Sequence, residues 1–257
     1  MLIPREHGAY GQLLFPLIAA LAIGHVTVGA VLLALAVSGA FLAHESLLVV
    51  LGQRGSRAAR EQAQDAKSTL AVFGGLWLVC GIGALWLMPR QAVPYLALPI
   101  VLGAQVMFVV FMHRERTTPG EILVGAALAS SSLPVALECG VALRDAVTVV
   151  LVFALVFATA TIAVRAVIGR VSKAGGPSTM VAAACAMGVV GGLAALVSAR
   201  VIASVAPWGA LPVCLVALGL AMRPPSPKQL RIVGWTLVGA TLLTTLILIV
   251  GVRLARG

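Results

Sequence analysis

Charge is what this chain has least of. Asp, Glu, Lys and Arg make up 10% of its 257 residues, while 61% are hydrophobic. A soluble domain of this size cannot cover its surface with so few charges. The four cysteines, Cys80, Cys139, Cys185 and Cys214, fall in separate apolar runs with no CxxC and no Cys/His cluster. That pattern argues against a disulfide framework and a cysteine metal site. There is no Walker A sequence, no HExxH and no Ser/His/Asp arrangement, so the familiar signatures of nucleotide hydrolysis, zinc proteolysis and serine hydrolysis are missing. Nor do the acids form an inward row of the kind a proton-driven pump needs.

What is present is a series of long apolar runs. Crossing a bilayer core takes about 20 mostly apolar residues. Nine such spans are predicted near 9–26, 28–51, 68–88, 92–112, 119–140, 145–168, 178–199, 204–222 and 231–252. Pro16, Pro99, Pro134 and Pro212 fall inside them and are expected to kink them. The fold class is therefore an all-α membrane protein of about nine transmembrane helices, a single polytopic domain over 1–257. The 27 glycines suit it, because small residues let membrane helices approach closely.

The net charge of +10 has a topological explanation rather than a nucleic-acid one. Nine spans place the N-terminus and every second loop on one side. Thirteen of the eighteen Lys and Arg lie there, including Arg54, Arg57, Arg60, Lys67, Arg114, Arg116, Arg165 and Arg170. The other side has Arg90, Arg144, Arg200, Arg253 and Arg256. Positive loops stay cytoplasmic. The expected orientation is thus N-terminus in and C-terminus out, in the cell (inner) membrane. Six of the eight acids also lie on or near the cytoplasmic side; only Glu138 and Asp145 lie opposite. Acids contribute little to topology, so a polar site opening to the cytoplasm, or neutralisation of neighbouring arginines, accounts for them.

Five clusters carry candidate chemistry. Arg5, Glu6 and His7 offer a cation, an acceptor and an imidazole at the mouth of the first span, or act as an interfacial anchor. His44 and Glu45 lie inside the second span, where ionisable residues are costly and are functional candidates by default. Arg54, Arg114 or Arg165 would be their partners. The loop 52–67 carries Arg54, Arg57 and Arg60 at i, i+3 and i+6, which on a helix form one basic face suited to phosphate. The junction 113–121 holds Arg114 and Arg116, with Thr118 expected to cap a helix whose Glu121 completes a capping box. Arg165 sits in an otherwise apolar helix, either lining a pocket or snorkelling.

The layout resembles the UbiA superfamily of membrane prenyltransferases. Arg5 with Leu13-Leu14-Phe15-Pro16 is similar to the opening of its menaquinone-type members. Arg114-Glu115-Arg116-Thr117, with Leu123 to Ala126 and Leu133-Pro134, is similar to the stretch joining its fourth and fifth helices. The resemblance implies Mg²⁺-diphosphate chemistry on two acidic motifs. Here the first is replaced by His44-Glu45 and the arginine loop, and the second by Arg165 to Lys173, which contains no acid. No cofactor is evident, and Mg²⁺ enters only if the resemblance extends to chemistry. A nearer resemblance is to the YwiC-like group, in Pro4-Arg5-Glu6-His7-Gly8, His44-Glu45 and the basic junction before span five.

The expectation is a bundle whose cytoplasm-facing polar pocket binds an amphipathic isoprenoid, quinone or lipid. As an enzyme it would use His44 or Glu45 as acid or base, with Arg5, Glu6, His7, Arg54, Arg57, Arg114, Arg116 and Arg165 binding the head group. The alternatives are a non-catalytic transporter or an accessory subunit of a membrane complex. The expected partners are the bilayer and the ligand, not nucleic acid.

Overall fold

The computed structural model describes residues 7–172, 177–223, 225–226 and 229–256. Among them there is no strand. The helices are α1 (His7–Ile23), α2 (Val28–Val50), α3 (Ser56–Glu61), α4 (Ala63–Leu87), α5 (Ala97–Phe111), α6 (Thr118–Ser130), α7 (Ser132–Glu138), α8 (Leu143–Ser172), α9 (Thr179–Ser198), α10 (Ala206–Met222) and α11 (Leu230–Leu254); a 3-10 turn (Val93–Leu96) leads into α5. Seven stretches are long and apolar enough to cross a membrane, α6 and α7 together making one of them. The two shorter apolar helices, Gly8–Ile23 and Ala206–Met222, complete the nine expected passes. The chain is a multi-pass, all-helical membrane protein. Successive passes alternate in direction, so the turns rich in Lys and Arg gather at one end of the bundle, the basic face.

Two expectations change in detail. The span at 119–140 is broken at Ser131. Pro134 lacks an N–H and its ring crowds the carbonyl four residues back, so the helix cannot run through. Hydroxyls relieve the break: Ser130, Ser131 and Ser132 donate to the carbonyls of Ala127, Leu128 and Ala129 at 2.6–2.7 Å. The second change is at 52–67, where the expected polar loop is largely helical: α3 and the first turn of α4 occupy it.

The core is formed mainly by α1, α6, α7, α8, α9, α10 and α11, with Phe153, Leu193, Ile202 and Leu248 among its largest fully buried side chains. α2 and α4 form an intimate hairpin. At Gly39 a Cβ would lie 2.9 Å from the Phe73 carbonyl, so only glycine lets the two backbones come this close. This hairpin reaches the core mainly through α7 and α1, and it makes next to no direct helix contact with α5 or α6. The face opposite the basic one is closed by polar contacts. Arg256 donates to Asp145 at 2.8 and 3.0 Å and to the Ile23 carbonyl, tying the end of α11 to α8 and α1. Arg144 donates to the Ile202 carbonyl at 2.7 Å.

Candidate functional site

On the basic face the structure joins several of the candidate residues, with partners that correct the sequence reading. Glu45, five residues from the end of α2, pairs with Arg54, which lies in the turn just after that helix. Arg54 donates from Nε and Nη2 to the two Glu45 oxygens at 2.9 and 2.7 Å. Its third nitrogen, Nη1, donates to Glu115 at 3.2 Å. One guanidinium thus bridges two carboxylates, and the fork geometry of arginine suits it to that task. The hydrogen bonds it donates to Glu45 hold the Arg54 guanidinium above its ordinary pKa despite desolvation. Of the three partners considered for His44-Glu45, Arg54 is the one Glu45 uses.

The expected arginine face of 54, 57 and 60 does not form. Gly52 and Gly55 both take left-handed φ, of 75° and 90°, and turn the chain before α3 begins. Arg54 therefore folds back onto α2, whereas Arg57, with 87% of its side chain exposed, pairs locally with Glu61 at 2.8 Å. Arg57 is not part of the junction.

The turn 112–117 is the hub. α5 ends in a Schellman closure, with His113 N–H donating to the Val110 carbonyl and Arg114 N–H to that of Val109. The closure puts His113 at φ 54°, a conformation favoured by glycine and disfavoured for a residue with a Cβ. α6 is capped by Thr117, not by Thr118 as the sequence suggested. The Thr117 hydroxyl accepts from Gly120 N–H at 3.3 Å and donates to the Arg114 carbonyl at 2.7 Å. Moving the cap back one residue leaves Glu121 outside a capping box, free to pair with Arg165 of α8.

Arg165 donates from Nε to Glu121 at 2.9 Å and from Nη2 to the other oxygen. The same Nη2 donates to the Arg116 carbonyl. So Arg165 faces the bundle rather than lipid. The 113–117 turn is gripped from two sides: Arg54 holds the Glu115 side chain and Arg165 holds the Arg116 backbone. Arg114 and Arg116 themselves are exposed, and no described carboxylate pairs with either.

α1 enters beside this junction. Tyr10 packs edge-on against Phe41 of α2, ring centroids 5.3 Å apart, one turn from His44 and Glu45. Arg5 and Glu6 lie outside the described residues, as does the His7 side chain. Among the described residues the ion-paired part of the junction is not net positive: Arg54 faces two carboxylates and Arg165 one. Nor does the described cavity space open here. A groove of about 660 Å³ lies between α8 and α9, lined by Leu155, Cys185, Gly188 and Gly192, and one of about 350 Å³ lies at the opposite face near Tyr95 and Gln91. None of the candidate residues lines either.

Glu138 was passed over in the sequence. It ends α7 at 7% exposure, with the Thr27 hydroxyl donating to Oε1 at 3.3 Å, while Oε2 is buried with no partner among the described residues. At Gly29 a Cβ would lie 2.2 Å from Oε1, so the neighbouring helix is shaped around this carboxyl. A lone acid at the far end of a span was the available signal.

The family model described as YwiC-like protein matches residues 3–137. The match takes in every candidate residue except Arg165, and also Glu115 and Glu121. No curated protein matches the chain and no solved structure does, so the UbiA resemblance rests on the sequence segments alone. With more than half its length matched, this multi-pass membrane protein belongs to the YwiC-like family.

Proposed function

We propose that this protein binds the anionic head group of an amphipathic lipid, of the isoprenoid, quinone or phospholipid class, at the cytoplasmic face of the cell membrane. The reading is carried by one observation. The 113–117 turn is fixed from behind by Arg54 and Arg165 while Arg114 and Arg116 project outward without a carboxylate. Two cations held on a rigid turn at the headgroup level pay little ordering entropy when an anion arrives. Arg54 and Arg165 then serve as positioning residues, and Arg114 and Arg116 as the contacts.

Binding fits better than prenyl transfer. Glu45 and Glu121 already accept from guanidiniums, and the segment after α8 supplies no acid. Among the described residues no three His, Cys, Asp or Glu gather as metal ligands. The described donor set does not fit Mg²⁺-diphosphate. A transport reading has its own support: Arg54–Glu115 spans two helical hairpins that otherwise make next to no contact, which is where a gate would sit.

The test is purification in native lipid followed by mass spectrometry of co-purified lipids, for the wild type and the doubly substituted Arg114→Gln, Arg116→Gln protein. The expected result is an anionic amphiphile enriched over bulk membrane and lost in the variant. Equal enrichment in both proteins refutes the head-group assignment.

A further inference from the structure

α5 is the least covered of the long spans. Only 6% of the stretch Val93–Phe111 is buried, against 56% for Thr118–Glu138. Its open face is ordered. Leu98, Val101, Gln105, Phe108 and Met112 are all exposed, and they follow at i, i+3, i+7, i+10 and i+14. That is the spacing of a helix–helix seam, with a glutamine at its centre.

Gln105 is the anomaly. It stands six residues from the end of α5, about 9 Å along the axis and inside the apolar span. Its amide makes no hydrogen bond to any described residue. Several hydroxyls in the spans escape this problem, because Ser38, Thr236, Thr241 and Thr245 each donate to the carbonyl four residues back; those of Ser46 and Thr244 are buried without a partner among the described residues, but inside the bundle rather than against lipid. An amide left unpaired in hydrocarbon costs about 4–8 kcal/mol. Lipid tails at this depth have no donor or acceptor to offer.

We propose that α5 is a homodimer seam, in which the Gln105 amide of one copy pairs with the Gln105 amide of a second. Two copies inserted with the same orientation are related by an axis along the membrane normal. The axis sets both α5 helices parallel and both glutamines at one depth. An amide is donor and acceptor at once, so two such groups across a two-fold axis satisfy each other with a pair of N–H···O bonds. Self-complementarity selects a second copy over an unrelated helix.

The experiment is energy transfer between labelled full-length copies in liposomes over a range of protein densities. Gln105→Leu is expected to raise the dimer dissociation constant about three- to thirtyfold, and Gln105→Asn, which keeps the amide, to stay within about threefold of wild type. In case Gln105→Leu misfolds, oxidative cross-linking in native membranes gives a separate reading. Gln105→Cys is expected to trap a dimer, while Met107→Cys, on the far side of α5, and the wild type with its own four cysteines do not. A wild type that is monomeric at every density, transfer unchanged by Gln105→Leu, or equal cross-linking at 105 and 107 overturns the proposal.

Discussion

Removing Arg54 tests whether the basic-face junction is held as described. In Arg54→Met the methylene stem is roughly kept and three charge-assisted hydrogen bonds are lost, two donated to Glu45 and one to Glu115. Each such bond contributes about 1.5–3 kcal/mol, but the three side chains keep between 22% and 29% exposure, so water recovers part of it. Breaking a fully buried pair costs about 3–5 kcal/mol; screening here lowers the expectation to about 2–4 kcal/mol. Two carboxylates are also left facing each other, which adds repulsion. Glu115→Gln should be much milder, about 0.5–1 kcal/mol, because Arg54 keeps both bonds to Glu45. Equilibrium unfolding in mixed detergent micelles, followed by tryptophan fluorescence, measures both. The reasoning is refuted if Arg54→Met lies within about 0.5 kcal/mol of wild type, or if Glu115→Gln is equally damaging.

Two further variants probe the backbone and the far end. His113→Gly removes a Cβ from a left-handed position at the close of α5 and should stabilise the protein by up to about 1 kcal/mol; a loss in the same unfolding assay would mean that the imidazole makes a contact worth more than the strain. Gly29→Ala drives a methyl to within 2.2 Å of Glu138 Oε1 and should cost about 1–3 kcal/mol. Because Glu138→Ala removes the obstructing oxygen, Gly29→Ala should lose at least half of that cost in its background, and a simply additive double variant would show that the two residues do not meet.

The nine passes were legible because the signal is physical and local: a bilayer of fixed thickness demands runs of fixed length. The alternation of basic loops then puts residues distant in sequence on one end, which is why the sequence groups Glu45, Arg54, Arg114, Arg116 and Arg165. Pairing within the group was not legible. Which carboxylate an arginine meets depends on helix rotation and on how a turn folds back, and both were set by features of low information content. Two glycines with positive φ sent Arg54 to Glu45 instead of onto a helix with Arg57. A cap shifted from Thr118 to Thr117 released Glu121 to Arg165.

Depth separates the remaining polar groups in the same way. Ser and Thr in a span can bond their own helix, so their presence in the sequence carries little tertiary information. Glu138 and Gln105 cannot do so and must be met by something else. Glu138 is met within the chain, by Thr27 and by a glycine that makes room for it. Gln105 lies on a face that none of the described residues covers. Both are isolated polar positions in apolar runs, and packing tells them apart. A buried one reports how this chain folds. An exposed one at the same cost in hydrocarbon reports contact with a molecule outside it, and its amide, donor and acceptor together, fits a second copy of the chain better than it fits a lipid.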